Sequence, residues 1–302
     1  MKDKLKKVTL KGNASFNFRE GWLRKGMRCI AQDPMLFTRD NVMEQLGVGS
    51  KMVSSIRFWL KACGLCEEKY INNSRARELY LTENFGEIVF QYDPYFDDIF
   101  TLFILHYHIV SNQALCIVWN IFFNEFSGID FTKEDLVSMC SNLLQKKMEE
   151  GATFSEESLK SDCDYILKMY LSPTKIDDPE ENLHCPLTVL GLIDKSPSDN
   201  KAYIKTSPVT DLLDKLAVLY VISMNIPEGR NSVSIRDLEN APNNIGHVFN
   251  LNRVKINEYL DELRVAGYVT INRTAGLDMV YLNNKYKPSD ILIEYYKKAQ
   301  MR

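Results

Sequence analysis

The sequence lacks the motifs of the common enzyme classes. It has no Gly-x-Ser-x-Gly elbow, no His-Glu-x-x-His zinc pair and no deaminase signature. The segment Gly47-Val48-Gly49-Ser50-Lys51 superficially resembles a phosphate-binding loop, but the earlier glycine of that motif is missing, so it predicts a turn followed by a helix cap. We therefore expect a chain that is not an enzyme and that carries no cofactor.

Long apolar runs are also missing. The most apolar stretch, residues 99–126, is interrupted by Ser111, Asn112 and Gln113, and each half is too short to span a bilayer. The basic residues 1–11 lack the apolar segment of a secretory signal. The sequence thus predicts two buried core helices, no membrane contact and a cytoplasmic location.

Neither a disulfide framework nor a metal site is indicated. The seven cysteines are scattered and odd in number, which favours reduced, buried thiols. Cys63 and Cys66 have CxxC spacing but no second pair nearby. His106 and His108, two apart on a predicted helix, point in nearly opposite directions and cannot share a metal.

Charge is divided unevenly along the chain. Residues 1–91 carry 16 Lys and Arg against 10 Asp and Glu, residues 92–200 carry 7 against 19, and residues 201–302 carry 14 against 11. A basic end attracts a polyanion and an acidic middle repels one. We expect any nucleic-acid contact at the ends and a scaffold or protein interface in the middle.

The first segment has the pattern of a winged helix-turn-helix. Helices are predicted over residues 18–30, over residues 39–46 and, after a tight turn, from Ser50 onward, where apolar residues recur at helical spacing. Gly64 can end the third helix in a left-handed conformation. Residues 65–71 and 78–82 flank the polar residues 72–77 and predict a hairpin, the wing.

A similar pattern returns near the C-terminus. A shift of 203 positions pairs Val53 with Ile256, Ile56 with Tyr259, Leu60 with Leu263, Gly64 with Gly267 and Leu65 with Tyr268. Between the two, residues 114–126, 132–150 and 156–171 predict helices. The predicted fold class is mainly α with small β-hairpins, with winged helix-turn-helix units at residues 1–91 and 201–302 joined by an acidic helical domain and connection at residues 92–200.

The predicted DNA-facing surface lies in the first unit. The helix that starts at Ser50 turns Val53, Ile56 and Leu60 inward, and the opposite face is expected to meet double-stranded DNA. The proposed contacts are Lys51, Ser54, Ser55, Arg57 and Lys61 on the helix and Arg75 and Arg77 on the wing. The alternative is a protein-interaction module whose charges only solvate a face. In the second unit, acidic residues offset the basic ones and favour protein contact or weak support of DNA binding.

Four segments together resemble an uncharacterised bacterial family. They are Gly21-Trp22-Leu23-Arg24-Lys25-Gly26, residues 46–60 with Leu46-Gly47-Val48-Gly49-Ser50, Tyr92-Asp93-Pro94-Tyr95-Phe96, and His184-Cys185-Pro186-Leu187. That family is a domain of unknown function encoded in phage-defence and DNA phosphorothioation islands, beside a sulfur transferase similar to phosphoadenosine phosphosulfate reductase. The resemblance covers nearly the whole chain but brings no catalytic residues.

Three functions follow as hypotheses. The first is a non-catalytic DNA-binding or DNA-presenting accessory subunit of a modification or defence complex. The second is a protein adaptor for the sulfur transferase, or another island-encoded protein, that does not touch DNA. The third is a transcriptional regulator, for which a symmetric dimer is expected, although the sequence leaves the oligomeric state open. Cys185 as a sulfur-accepting thiol is the weaker interpretation beside a structural cysteine.

Overall fold

The computed structural model describes residues 4–70, 77–128, 130–171, 185–209, 211–274, 278–284 and 286–301. The fold is mainly helical with small antiparallel sheets, as the sequence predicts. The helices are α1 (Trp22–Gln32), α2 (Val42–Leu46), α3 (Ser50–Ala62), α4 (Gly86–Tyr92), α5 (Ile99–Ser111), α6 (Ile117–Glu125), α7 (Lys133–Lys147), α8 (Glu156–Tyr170), α9 (Lys215–Asn225), α10 (Ile235–Asn240), α11 (Ile245–Val248), α12 (Arg253–Val265) and α13 (Pro288–Ala299). Short 3-10 helices cover Leu36–Thr38 and Pro186–Leu190.

The described strands form three small sheets in which every pairing is antiparallel. The strands are β1 (Cys66–Tyr70), β2 (Arg77–Leu81), β3 (Asp130–Phe131), β4 (Ile193–Lys195), β5 (Tyr203–Lys205), β6 (Ser232–Ser234), β7 (Val269–Asn272) and β8 (Met279–Leu282). Strands β1 and β2 form the predicted hairpin, and the other sheets have the orders β3-β5-β4 and β6-β8-β7. The middle sheet was not predicted, because strands of two or three residues leave no periodic signal.

Helices α5 and α6 confirm the two predicted core helices. Both are buried around most of their circumference, and each is far shorter than a bilayer requires. None of the helices in the described ranges combines the length and apolar character needed to cross a membrane.

Three helix boundaries differ from the prediction for local reasons. Helix α1 starts at Trp22 because Gly21 before it has a left-handed φ of 77°. Residues 39–46 contain only the short α2, after a 3-10 turn. The sequence pattern predicts a long helix from Val209 to Asn225, but helix α9 starts only at Lys215, because the side chain of Asp214 accepts the Leu216 N–H and caps the helix there.

Aromatic contacts join the three predicted segments. Trp59 of α3 meets Trp119 of α6 edge to face, with ring centroids 5.8 Å apart. Phe100 of α5 stacks on Tyr295 of α13, and Tyr92 stacks on Tyr296. Buried side chains from all three segments belong to one hydrophobic core, and the division at residues 91 and 200 stays a prediction.

The relation between the two ends at a shift of 203 positions extends to backbone geometry. Helix α12 repeats the bounds of α3 at this shift. Gly64 and Gly267 both adopt a left-handed φ, of 71° and 81°. Leu65 N–H bonds to Leu60 O and Tyr268 N–H to Leu263 O, the same closing hydrogen bond. In the other four predicted pairs, both residues are buried.

Two histidines of α5 make hydrogen bonds within the fold: His106 is fully buried, whereas His108 is partly buried and lines a cleft of about 560 Å³. His106 Nε2 donates to Val248 O at 2.7 Å, and its Nδ1 lies 2.7 Å from the Tyr170 hydroxyl. His108 Nε2 lies 2.9 Å from the Tyr220 hydroxyl, and its ring stacks on Phe85. Burial lowers the pKa of His106 and of His108 to about 4, so both are neutral near pH 7.

These histidines predict acid sensitivity of the fold. Their folded-state pKa lies below the value of 6.5 for an exposed imidazole, so the unfolded chain binds protons first as the pH falls from about 6.5 to about 4. Each histidine should lower the free energy of unfolding by about 3 kcal/mol over that range. Urea unfolding of the native chain and His106→Gln at several pH values tests this. The variant should lose part of the pH slope, whatever its absolute stability, and an unchanged slope would contradict the prediction.

Candidate functional site

Helix α3 presents the predicted polar face. Gly47 ends α2 in a left-handed conformation, Gly49 precedes the first turn of α3, and the apolar residues Val53, Ile56 and Leu60 are buried. Because residues three and four apart share one face of a helix, the opposite face carries the predicted contacts. Lys51 and Ser54 are exposed there, and Ser54 donates to Ser50 O.

Ser55 does not belong to this face, so its predicted position near DNA is wrong. Its side chain is fully buried, and its hydroxyl donates to Phe16 O at 3.4 Å. Trp59 Nε1, one turn later, donates to the same carbonyl at 2.9 Å. Ser55 and Trp59 therefore anchor the segment before α1 to the inner face of α3.

One carboxylate of the hairpin organises three of the predicted cations. Glu68 Oε1 lies 2.8 Å from Arg57 Nη2 and 2.9 Å from Lys61 Nζ, and its Oε2 lies 2.8 Å from Arg77 Nη1. The Arg77 guanidinium also stacks on the Tyr70 ring, 4.7 Å from its centroid. Ion pairs therefore connect strands β1 and β2 to α3, in addition to the covalent link along the chain.

The Glu68 cluster is joined by ion pairs and carries a net positive charge. Partial burial by itself raises the pKa of Glu68, but hydrogen bonds from Arg77 and Lys61 and the nearby charges of Lys61 and Arg57 lower it to about 2. The carboxylate is therefore ionised throughout the neutral range. Three cations around one anion leave a local charge of about +2.

A groove of about 590 Å³ opens between α3, the hairpin and the N-terminal segment. Its lining combines hydroxyl groups, charged groups and a few apolar side chains. The lining residues are Thr9, Gly12, Thr38, Ser54, Arg57, Phe58, Lys61, Glu68, Arg77 and Leu115. Of the seven predicted contacts, four therefore line one groove: Ser54, Arg57, Lys61 and Arg77. Lys51 lies one turn earlier on α3, and Arg75 lies outside the described residues, as do residues 71–76.

The sequence interpretation missed Glu68, Thr9 and Thr38. A single glutamate on a strand next to a basic helix is a weak signal, but the hairpin prediction does place residue 68 beside α3. Thr9 and Thr38 give no such signal, because they reach the groove through tertiary contacts.

The second unit lacks the same surface, although its backbone is equivalent. At the shift of 203 positions, Lys51 corresponds to Val254 and Arg57 to the buried Leu260. On α12, Lys255 pairs with Glu258 and Arg264 with Asp261, within the helix itself. Whether the second unit contacts protein or gives weak support to DNA binding stays a prediction.

The cysteines are poor nucleophiles in this fold. Cys63, Cys66 and Cys185 are all buried. Burial raises the pKa of Cys66 and of Cys185 to about 12, so almost no thiolate is present near pH 7. Cys185 therefore fits a structural role better than sulfur transfer.

Two aspartates after α4, Asp93 and Asp98, form hydrogen bonds with nearby backbone N–H groups. Asp93 accepts hydrogen bonds from the Asp97 and Asp98 N–H groups and from the Thr101 hydroxyl, and Asp98 caps α5 through the Phe100 N–H. In the described ranges, no group of three or more His, Cys, Asp or Glu side chains is arranged to hold a metal ion.

Comparison with known protein families identifies the family of this chain. The profile described as "Protein of unknown function (DUF4007)" matches residues 11–296. The chain belongs to the DUF4007 family. No match was found among curated proteins.

Two solved structures share the DUF4007 fold of this chain. The "Magnesium ion-bound SspB crystal structure" is 25% identical, with a TM-score of 0.86, and the match covers 98% of this chain and 90% of that chain. The "SspB crystal structure" is 26% identical, with a TM-score of 0.84 and the same coverage. The likeness therefore extends over the full helical architecture, including both helix-and-hairpin units.

Neighbouring glutamates on β1 provide a matched test of the Glu68 cluster. Glu68→Ala should lower the free energy of unfolding by about 1–3 kcal/mol, because the partly buried Arg57 and Lys61 and the exposed Arg77 lose their shared partner and repel one another. Glu67→Ala removes only an exposed pair with Lys69 and should cost about 0–1 kcal/mol. Denaturant unfolding at neutral pH compares the two. Equal losses would mean that the cluster does not stabilise the hairpin.

Proposed function

We propose that this DUF4007 protein is a non-catalytic DNA-binding or DNA-presenting accessory subunit of a bacterial DNA-modification or phage-defence complex. In this proposal α3 and the β1–β2 hairpin act as a winged helix on double-stranded DNA. The observation that carries it is the groove in which Arg57, Lys61 and Arg77 converge around Glu68.

The geometry suits phosphate recognition. Glu68 holds the three cations in fixed positions before DNA arrives, which reduces the side-chain entropy lost on binding. A phosphate entering the groove replaces part of the attraction to Glu68 and meets the hydroxyls of Thr38 and Ser54 as well. Lys51, exposed on the first turn, extends this surface along the helix.

The genomic setting in this proposal is inferred from the resemblance of the sequence to a family, and not from the geometry of the groove. The sequence resembles proteins of phosphorothioation and defence islands. The DUF4007 match and the likeness to SspB each extend over nearly the whole chain. A sulfur transferase encoded nearby is the expected partner.

Duplex binding can be measured by fluorescence anisotropy between about 50 and 200 mM salt. Arg57→Gln/Arg77→Gln should weaken binding on the order of tenfold and reduce the slope of log K against log salt by about 2, because two phosphate contacts are lost. Glu68→Gln should strengthen binding, because it removes the anion that competes with phosphate.

The matched control is Lys255→Gln/Arg264→Gln, which makes the same change in charge on α12. Its affinity and salt slope should stay close to the native values. Absence of binding by the native chain at low salt, or equal losses in the two double variants, would refute DNA contact by the first unit.

A second candidate function, the protein adaptor, is favoured by another cleft, whose lining combines apolar side chains with Arg19, Glu20 and Asp97. The cleft has a volume of about 400 Å³ and contains the buried side chains of Phe18, Leu102 and Leu105. Tyr95 and Val189 at its edge are 54% and 53% exposed, which is unusual for large apolar side chains that line a cleft. A partner could place an apolar side chain there.

The adaptor hypothesis predicts a separable defect. Val189→Asp should raise the Kd for the purified sulfur transferase at least about tenfold and leave DNA binding unchanged, because a charge at the edge opposes apolar burial. Val254→Asp, at the exposed position 254 of α12, is the matched control. Calorimetric titration of each variant with the sulfur transferase measures the two Kd values. Equal affinities would mean that the cleft is not the docking site.

A further inference from the structure

The segment of residues 4–12, here called the strap, is held firmly against the body of the protein. Leu5 forms a parallel bridge beside Met148, with its N–H on Lys147 O at 2.9 Å and its carbonyl accepting from Glu149 N–H at 3.0 Å. At the other end, Lys11 N–H donates to Asp162 Oδ2 at 2.9 Å. The strap is thus fixed at two points, on α7 and on α8.

Apolar and basic residues of the strap face different environments. Leu5, Val8 and Leu10 pack against the hydrophobic core. Lys4, Lys6, Lys7 and Lys11 are exposed, and the strap contains no acidic residue. The fold therefore presents a row of lysines on a backbone that is anchored by its apolar side.

The strap also forms one side of the groove. Thr9 and Gly12 line it together with Arg57 and Phe58. Gly12 lies so close to α3 that an added Cβ would be 2.5 Å from Phe58 Cε2. Since consecutive Cα atoms are about 3.8 Å apart, the Cα of Lys7 lies within about 8 Å of that of Thr9, and its side chain can reach a ligand at the groove.

Lys6 and Lys7 differ electrostatically from the cations on the other side of the groove. Arg57, Lys61 and Arg77 share Glu68, whereas no carboxylate in the described ranges pairs with Lys6 or Lys7. Unpaired exposed lysines gain most when they meet phosphate, because only counterions have to be released.

We infer that the strap is the second wall of a nucleic-acid-binding surface and that Lys6 and Lys7 contact phosphates of the same duplex that α3 and the hairpin bind. This inference rests on the proposed function and extends it from the helix-and-hairpin unit to a segment outside it. The duplex would then be held from two sides, with Glu68 at the bottom of the groove between them.

Anisotropy titrations of Lys6→Gln/Lys7→Gln across the same salt range test the strap. The salt slope should fall by about 2 and the Kd should rise on the order of tenfold near physiological salt. Lys195→Gln/Lys201→Gln, an equal change at two exposed lysines near β4 and β5, should leave both unchanged. If the native chain binds and Arg57→Gln/Arg77→Gln weakens binding while the strap variant matches the native chain, the strap inference alone is wrong. If the native chain binds no duplex at all, the proposed function is wrong as well.

A crosslink gives a second measurement. All seven native cysteines are buried, so Thr9→Cys adds an exposed thiol to a chain without others. A duplex carrying a thiol on a phosphate tether should form a disulfide with it under mild oxidation, and Ser198→Cys, at an exposed position away from the strap, should not react above background. Equal crosslinking at the two positions would overturn the placement of DNA along the strap.

Discussion

Helices α5 and α6 bury side chains around most of their circumference, and helices of that kind need neighbours on nearly every side. The rest of the fold provides them. Trp59 of α3 covers Trp119, Tyr295 and Tyr296 of α13 cover Phe100, and α7, α8, α9 and α11 complete the enclosure. The first unit is consequently not a free module on a linker, because its central helix is part of the same core.

This packing determines which surface α3 can offer. Its inner face is committed to Trp119 and to the carbonyl of Phe16, so only the face with Ser54, Arg57 and Lys61 remains for a ligand. Glu68 then converts that face from a set of mobile cations into a fixed cluster. A rigid helix and hairpin with a positively charged groove suit a polyanion better than a small apolar ligand.

The two ends of the chain use one backbone design for different surfaces. The closing hydrogen bonds and left-handed glycines at Gly64 and Gly267 are equivalent, because helix termination followed by a strand depends on a few local positions. Helix termination does not constrain which residues occupy the outward faces of α3 and α12. Val254 and Leu260 stand where the first unit has Lys51 and Arg57, so the shared fold does not imply a shared ligand.

The sequence by itself determined the helices, the hairpin and the repeated pattern, since these depend on local periodicity, caps and glycines that each segment carries within itself. It also identified Lys51, Ser54, Arg57 and Lys61 as one polar surface, because helical spacing places them on the same side of α3, and the hairpin pattern placed Arg77 on the wing. Only the tertiary structure decided that Ser55 is buried, that Glu68 binds three of the cations, and that the strap borders the groove. Those contacts join residues far apart in the chain, and their geometry is set by how the elements pack around α5 and α6.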